Sequence, residues 1–333
     1  MQHTSFSGTE PVAIKAVPIK VCAIIPAYRV KNQVLSVINS IGAEVTRIYV
    51  IDDCCPEKSG KLVEDQCSDP RVVVLYNKEN LGVGGAVIRG YRAGLEEGMD
   101  ILVKIDGDGQ MNPSLINKFL RPILLGETDY TKGTRFFSFD SLRTMPTSRK
   151  IGNTLLSFVN KFTSGYWNIM DPTNGYTAIH RFALSHLPLE KINQRYFFES
   201  DMLFRLGTIR AVVKDIPIDS VYAGQNSSLQ IGKTAIEFIP LYIRAFIKRV
   251  LYLYLLRDFN VATLEMIVGS GLLLFGLVFG GSSWSEASSN NQFASTGTVM
   301  IAVVPIIIGF QLLLSAMHFD ISNVPKIPLQ SLE

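Results

Sequence analysis

Short apolar runs alternate with amphipathic segments from Val21 to about Ile218. Such runs, bounded by turn residues, predict buried strands, and the segments between them have the apolar spacing of helices. This alternation is typical of an α/β fold with a mainly parallel sheet. The predicted strands are residues 21–27, 48–52, 72–76, 101–106 and 129–135, and the predicted helices lie near residues 33–42, 84–97 and 113–125.

Two long uncharged runs follow, from Met266 to Ser285 and from Thr296 to Met317. Each is long enough to cross a hydrocarbon core of about 30 Å as a helix. Buried core helices are the alternative. A Ser/Asn-rich turn joins the runs, however, which favours a membrane hairpin with spans near residues 262–282 and 297–318.

The loop between the two runs, residues 282–295, contains no Lys or Arg. Basic residues flank the pair instead: Arg244, Lys248, Arg249 and Arg257 before it and Lys326 after it. By the positive-inside rule both ends of the hairpin face the cytoplasm. The first residues lack the pattern of a secretory signal, so we expect the preceding domain and both termini to be cytoplasmic, at the plasma (inner) membrane.

Residues 234–256 combine aliphatic and aromatic side chains with interspersed basic residues. This composition suits helices that lie at the headgroup level against anionic lipid. Ordinary packing helices beneath the preceding domain are the alternative. The sequence therefore predicts four parts: a tail (1–19), an α/β domain (20–230), amphipathic helices (231–260) and the hairpin (261–333).

Composition adds few constraints. A chain of 333 residues is long enough for one large domain plus an appendage, and its net charge of +3 is too mild to indicate a nucleic-acid partner. The four cysteines show no CxxC spacing, which indicates reduced thiols. The four histidines show no metal-ligand spacing, so we assign them no role.

The segment Asp106-Gly107-Asp108-Gly109-Gln110 follows an apolar strand directly. In open α/β sheets ligands bind at the carboxyl ends of the strands. Two acids one residue apart can hold Mg²⁺ or Mn²⁺, which prefers oxygen ligands and keeps positions for substrate phosphates. A glycine-rich turn with solvated acids is the alternative.

Two further segments follow predicted strands. Asp52 and Asp53 end a strand where a carboxylate can accept hydrogen bonds from a ribose or a base, or can simply cap a helix. The glycine-rich segment from Asn80 to Ala86 opens a helix, and its backbone N–H groups could approach a ligand or could only form a tight turn.

Taken in chain order, seven segments resemble family 2 glycosyltransferases, in particular their polyprenol-phosphate branch: VCAIIPAYR, VIDD, ENLGVGGAV, KIDGDGQ, KGTR, DPTNGYTAI and FFESDML. The resemblance covers roughly residues 20–230 and is closest to dolichol-phosphate mannose synthases and bacterial polyprenyl-phosphate glucosyltransferases. It implies the GT-A fold, which is Rossmann-like with a mainly parallel sheet.

The resemblance also implies roles for individual residues. The nucleotide-binding set is Pro26, Tyr28, Asp52, Asp53, Asn80, Gly85 and Asp106. The metal set is Asp106, Asp108 and Gln110, and the catalytic set is Asp108, Arg135 and Asp201. The set that contacts the acceptor phosphate is Arg135, Arg149 and Asn153.

The implied reaction is inverting transfer of one sugar from a nucleotide sugar, with UDP favoured, to a polyprenyl phosphate at the cytoplasmic membrane surface. The product would serve cell-surface glycan modification, and Mg²⁺ or Mn²⁺ would be the cofactor. A homo-oligomer is a further expectation from bacterial relatives. A nucleotidyltransferase that makes sugar nucleotides and a non-catalytic membrane adaptor with a nucleotide-binding fold are the alternatives.

Overall fold

The computed structural model describes residues 18–136, 147–218 and 231–332, without the side chains of residues 147–151, 153 and 231–236. In these residues seven strands form one sheet in the order β3-β2-β1-β4-β6-β5-β7. The strands are β1 (Val21–Ala27), β2 (Arg47–Asp52), β3 (Val72–Tyr76), β4 (Ile101–Lys104), β5 (Tyr130–Thr134), β6 (Thr177–His180) and β7 (Val213–Pro217).

The sheet is mainly parallel. β1 pairs in parallel with β2 and β4, β2 with β3, and β5 with β7, whereas β6 is antiparallel to both β4 and β5. All strands except β6 therefore point in one direction. Their carboxyl ends meet at one edge of the sheet, and β6 begins at that same edge.

Helices cover both faces of the sheet and continue into the C-terminal part. They are α1 (Val34–Asn39), α2 (Ser59–Gln66), α3 (Val83–Glu96), α4 (Ile116–Leu124), α5 (Thr147–Ser164), α6 (Arg181–Ser185), α7 (Phe198–Ile209), α8 (Ile231–Val250), α9 (Val261–Ser289) and α10 (Thr296–Ser322). A π-helical turn, Leu251–Arg257, follows α8, and 3₁₀ turns lie at Pro113–Leu115, Leu189–Lys191 and Leu329–Leu332.

The sheet separates two hydrophobic cores because successive side chains of a strand point to opposite faces. On one face Ile24 of β1 belongs to the same buried cluster as Tyr91 of α3. On the other face Ile25 belongs to the cluster that contains Phe119 of α4. Burial on both faces explains why β1 is a nearly continuous apolar run.

Helix α8 has one packed face and one exposed apolar face. Tyr242 packs edge-on against Phe197, with ring centroids 4.9 Å apart, and its hydroxyl lies 2.9 Å from Oγ of Ser200 in α7. On the opposite side Ile243 and Ile247 are about half exposed. The helix therefore packs under the domain and also presents an exposed apolar surface, and its predicted location at the headgroup level stays a prediction.

Helices α9 and α10 form the predicted hairpin and include both predicted spans. In the most apolar stretch of each helix only 22% and 17% of the residues are buried, which is the opposite of a soluble core helix. A Cβ on Gly276 would lie 2.6 Å from the carbonyl oxygen of Ala302, and one on Gly269 would lie 2.9 Å from that of Gly309. Small residues thus let the two backbones approach closely, as in packed membrane helices.

The chain returns to the α/β domain after α10. The backbone N–H groups of Leu329 and Gln330 each donate to the carboxylate of Asp129, at 2.9 Å. Asp129 is fully buried just before β5 and also accepts from the N–H of Val212. Residues beyond the hairpin are therefore tied to the sheet by backbone hydrogen bonds.

The predicted fold class is confirmed, with differences in detail. Strands 21–27 and 72–76 have the predicted bounds, whereas β4 ends at Lys104 and β5 spans Tyr130–Thr134. Strands β6 and β7 and helices α2, α5, α6 and α7 were not predicted. Strand β6 has only four residues, TAIH, with polar residues at both ends, so it lacks the apolar run by which the other strands were recognised.

Candidate active site

Most of the residues singled out from the sequence lie at the carboxyl edge of the sheet. Tyr28 follows β1, Asp53 follows β2, Asp106 follows β4 and Arg135 follows β5. Because β6 runs the other way, the segment before it, which includes Gly175, reaches the same edge. The edge thus collects charged side chains from strands that are far apart in sequence.

A buried lysine organises the acids after β4. Nζ of Lys104 donates to Oδ1 of Asp106 at 2.8 Å and to the carbonyl of Gly175 at 3.1 Å, and it lies 3.4 Å from Oε1 of Glu199. Burial lowers the pKa of this lysine, but Asp106 and Glu199 outweigh that effect and raise it above its ordinary value. Lys104 therefore stays charged and holds the two carboxylates together.

Gly175 is required by this arrangement. A Cβ at this position would overlap Nζ of Lys104 and would lie 2.9 Å from Oδ2 of Asp106. Any larger residue would displace the lysine or the carboxylate. The glycine of the NGY sequence thus allows close approach of the backbone to the charged cluster.

Asp108 and Gln110 form the outer part of the same turn. Asp108 is half-buried, and its Oδ1 accepts the backbone N–H of Gln110 at 3.0 Å. Burial raises the pKa of Asp108, and the neighbouring Asp106 adds to this. Gly109 has φ +76°, a left-handed conformation that favours glycine and lets the turn reverse between them.

These residues fit a divalent cation that is shared with a substrate. Residues 18–136, 147–218 and 231–332 contain no group of three or more His, Cys, Asp or Glu that could hold a metal by themselves. Mg²⁺ is usually bound by one or two carboxylates together with substrate phosphates and water. Asp106 and Asp108 provide such a pair, with the Gln110 side chain exposed beside them.

The carboxylate of Asp52 is engaged within the protein. Its Oδ1 accepts the N–H of Cys55 and its Oδ2 the N–H of Gly60, both at 2.7 Å. The side chain is 3% exposed. In this structure Asp52 shapes the connection from β2 to α2, and its role in nucleotide binding stays a prediction.

Asp53 likewise holds a connection in place within the protein, in this case the loop between β3 and α3. Its carboxylate accepts from the amide of Asn77 at 2.7 Å and from the backbone N–H groups of Leu81 and Gly82 at 3.0 and 2.7 Å. The amide of Asn80 donates to its carbonyl at 3.4 Å. Asp53 thus fixes the glycine-rich turn from the end of β2.

The glycines of this turn approach another loop of the protein. The N–H of Gly85 donates to the carbonyl of Gln194 at 3.0 Å, and a Cβ on Gly84 would lie 2.5 Å from the carbonyl oxygen of Asn193. The sequence predicted that a ligand could closely approach the backbone of these glycines. In the structure the backbone of residues 193–194 lies against them instead. The nucleotide-binding roles of Asn80 and Gly85 stay predictions.

The end of β1 presents an aromatic side chain. Tyr28 is 40% exposed, and the guanidinium of Arg29 lies 5.4 Å from its ring centroid. Pro26, the partner of Ile51 in the β1–β2 register, precedes this turn. An exposed ring at this edge of the sheet is suited to stacking against a nucleobase.

Glu199, which the sequence interpretation did not use, reaches the charged cluster, whereas Asp201 does not contact it. Oδ2 of Asp201 accepts the N–H of Asn193 at 2.7 Å and Nε of Arg205 at 3.0 Å. Asp201 thereby braces the loop that covers the glycine-rich turn. The ESD segment indicated the region, but the two acids are two residues apart and therefore lie roughly half a turn apart on α7, so the sequence could not show which acid faces the edge.

Arg135 is held by a buried carboxylate. Its Nε and Nη2 donate to the two oxygens of Asp171 at 2.8 and 3.1 Å, and Asp171 is 1% exposed. This bidentate pair fixes the plane of the guanidinium at the end of β5. The side chains of Arg149 and Asn153 lie outside the described part of the structure, so their predicted contact with an acceptor phosphate is untested.

Two more buried charges lie beside this pair. Burial lowers the pKa of Lys132 on β5 to about 8, although Glu199 and Asp171 oppose the shift, and its ammonium donates to the carbonyl of Asn174. Burial raises the pKa of Asp215 on β7 to about 6. Charged groups thus continue beneath the edge from β4 to β7.

Comparison with known proteins gives concordant matches. Residues 22–187 match the family described as Glycosyl transferase family 2. The chain is 31% identical over 210 residues to an undecaprenyl-phosphate mannosyltransferase of Micrococcus luteus, covering 61% of this chain and 84% of that protein. It is 28% identical over 213 residues to a UDP-N-acetylglucosamine–dolichyl-phosphate N-acetylglucosaminyltransferase of Methanococcus voltae, covering 60% of this chain and 84% of that protein.

The fold is similar to that of solved structures. Glucosyl-3-phosphoglycerate synthase from Mycobacterium tuberculosis, in complex with Mn²⁺, UDP-glucose and phosphoglyceric acid, superposes with a TM-score of 0.51 at 20% sequence identity. The match covers 69% of this chain and 79% of that chain. Similarity at this level of identity concerns the fold alone.

Proposed function

This chain belongs to glycosyl transferase family 2, and on that basis we propose that it transfers one sugar from a nucleotide sugar to a polyprenyl phosphate. The observation that carries the proposal is the cluster of Lys104, Asp106, Asp108 and Glu199 at the carboxyl edge of the sheet. Two relatives that are named for sugar transfer to undecaprenyl or dolichyl phosphate support this acceptor class.

The spacing of the strand ends would let the two substrates lie side by side along the edge, with the nucleotide near β1, β2 and β4 and the acceptor phosphate near β5. β2 and β4 are separated by β1, so Asp53 and Asp106 end strands that lie about 10 Å apart. A nucleoside diphosphate can extend over such a distance, from a base near Tyr28 to phosphates near Asp106. Arg135 ends β5, two strands beyond β4 on the other side, where an acceptor phosphate would meet a fixed guanidinium.

The proposed reaction is a single displacement. An oxygen of the polyprenyl phosphate attacks the anomeric carbon, a new carbon–oxygen bond forms, and the bond from that carbon to the nucleoside diphosphate breaks with inversion. The acceptor oxygen is already ionised at neutral pH, so no strong general base is needed. Glu199 lies at the cluster and would orient the sugar, whereas Asp201 would act through the loop at residues 193–197.

A divalent cation, Mg²⁺ or Mn²⁺, fits Asp106 and Asp108 and would neutralise charge on the departing diphosphate as a Lewis acid. The Methanococcus voltae relative, which is named for UDP-N-acetylglucosamine, supports a UDP-linked donor. A protein of similar fold holds Mn²⁺ together with UDP-glucose, so the fold is compatible with such a metal. Lys104 contributes a fixed positive charge at the same carboxylate and thereby keeps Asp106 in place before substrate binds.

The hairpin would keep the edge at the cytoplasmic surface, where a lipid acceptor presents its phosphate. The exposed apolar side chains of α8, including Ile243 and Ile247, would lie at the headgroup level. The proposed topology places the α/β domain and both termini in the cytoplasm, in agreement with the basic residues that flank the spans.

A donor panel tests the proposal. Full-length protein in detergent is incubated with undecaprenyl phosphate, Mn²⁺ and radiolabelled UDP- or GDP-sugars, and lipid-extractable label is measured by chromatography. We expect one donor to give a labelled lipid, which EDTA abolishes. Intact donors throughout the panel, with the acceptor present, would contradict the proposed acceptor class.

A further inference from the structure

A cavity lies away from the carboxyl edge, at the junction between the α/β domain and the hairpin. Its volume is about 400 Å³, within the range of small-ligand sites. Its walls include Gly207 near the end of α7, Asn260 just before α9 and Asn323 just after α10. Along α7 Gly207 is separated from Glu199 by roughly 12 Å, since a helix rises about 1.5 Å per residue.

Three arginines line this junction cavity: Arg210, Arg249 and Arg257. Arg210 donates to the carbonyl and side-chain oxygens of Asn323 at 3.1 and 3.0 Å, and Arg257 donates to the carbonyl of Thr208 at 2.8 Å. These acceptors are neutral, so they orient the guanidinium groups without cancelling their charge.

The third arginine, Arg249, has one hydrogen-bond donor without an acceptor in the described part of the chain. Arg249 is 3% exposed, and its two terminal nitrogens donate to Asp320 at 2.8 and 2.9 Å. Its Nε has no hydrogen-bond partner among the residues that the structure describes. A buried N–H without an acceptor is destabilising, and this one belongs to an arginine that lines the cavity.

The rim of the cavity is apolar on the hairpin side. Three apolar side chains that neighbour the lining residues in the chain are largely exposed: Leu256 (79%), Phe259 (64%) and Val261 (70%). Leu256 and Val261 lie on either side of the segment that carries Arg257, Asp258 and Asn260. A ligand with both an anionic head and hydrocarbon chains would contact both surfaces, whereas a free anion would contact only the first.

We propose that this cavity binds the phosphate of an anionic glycerophospholipid, with the acyl chains against the exposed apolar residues beside α9. The inference rests on the membrane location of the hairpin and not on the sugar-transfer chemistry. Its ligand is a structural lipid of the surrounding bilayer, and its lining residues include none of the residues at the carboxyl edge.

Native mass spectrometry of the full-length protein tests the proposal, with phosphatidylglycerol and phosphatidylcholine added separately in detergent. We expect phosphatidylglycerol to be retained preferentially. Because one basic residue near a lipid surface is worth about 1 kcal/mol, Arg257→Gln should weaken this binding roughly five-fold. Asp258→Asn removes a cavity carboxylate and should strengthen it.

Arg244→Gln is the matched control, since Arg244 is exposed on α8 and does not line the cavity. Equal retention of the two lipids, or an equal loss in Arg244→Gln and Arg257→Gln, would overturn the proposal. Displacement of phosphatidylglycerol by millimolar inorganic phosphate would identify a free-anion site and overturn it as well. If Arg257→Gln does not fold, Asp258→Asn decides the matter, because unfolding cannot produce tighter binding.

Discussion

Nζ of Lys104 lies 2.8 Å from Oδ1 of Asp106, and the lysine side chain is 1% exposed. The pair joins the buried end of β4 to the turn that carries Asp108. Glu199, 95 residues further along the chain, approaches the same ammonium at 3.4 Å. The fold thus preorganises its acidic edge with an internal cation.

Removal of this cation should destabilise the protein. Lys104→Met leaves the carboxylates of Asp106 and Glu199 without their buried partner, and losing one member of such a pair costs roughly 3 kcal/mol. We expect a lower free energy of unfolding by chemical denaturation. Lys118→Met, at an exposed position on α4, is the control, and equal stability of the two variants would contradict this role.

The two acids of α7 should give different phenotypes. Glu199→Gln keeps the shape of the side chain but removes its charge at the cluster, so we expect kcat to fall on the order of a hundred-fold with little change in stability. Asp201→Asn weakens contacts to Asn193 and Arg205, so we expect a stability loss of about 1–2 kcal/mol. A large loss of kcat in Asp201→Asn at unchanged stability would restore Asp201 as the residue at the sugar.

Arg135 should matter more for the lipid acceptor than for the donor. Arg135→Ala removes a guanidinium that Asp171 holds in a fixed plane, and we expect KM for the polyprenyl phosphate to rise on the order of ten-fold. Donor affinity, measured by nucleotide titration, should change little. Arg92→Ala, exposed on α3, is the control. Equal losses for donor and acceptor would argue for a general structural role.

Lys132 should give the protein a pH-dependent stability. Its pKa is about 8 in the folded protein and near 10.5 in the unfolded chain, so the unfolded state holds the proton at higher pH. The contribution of Lys132 to the free energy of unfolding is therefore constant below pH 8 and rises between pH 8 and 10.5. At about 1.4 kcal/mol per pH unit, the gain from pH 8 to 9.5 is roughly 2 kcal/mol.

Denaturation of wild-type protein and Lys132→Met at pH 7.5 and pH 9.5 measures this effect. The stability of the wild type relative to the variant should increase with pH. A difference that is constant across the two pH values would show that Lys132 has an ordinary pKa in the folded state.

Much of the fold could be predicted because most of its elements show their characteristic sequence pattern within a single short segment. A few consecutive residues are enough to recognise the apolar run of β1 and the glycine-rich start of α3. The same is true of the turn from Asp106 to Gln110, which follows β4. Strand β6 could not be recognised in this way, because its four residues become a strand only by pairing with β4 and β5.

The site was less predictable for the same reason. Asp53 has the position expected of a ligand-binding acid, yet its oxygens accept the N–H groups of Leu81 and Gly82, which the chain reaches 28 and 29 residues later. Similarly, Gly84 closely approaches the carbonyl of Asn193, more than 100 residues away. Such partners depend on the tertiary structure, so a motif locates a site more reliably than it assigns each side chain a role.

The most direct test of metal-dependent sugar transfer compares wild-type protein and Asp108→Asn in transfer of labelled sugar to undecaprenyl phosphate, with Mn²⁺ and with EDTA. Asp65→Asn, an exposed acid on α2, is the matched control. We expect a labelled lipid that requires the metal, is made by the control and is lost in Asp108→Asn although that variant folds. Equal turnover by Asp108→Asn and wild type with Mn²⁺ would contradict it.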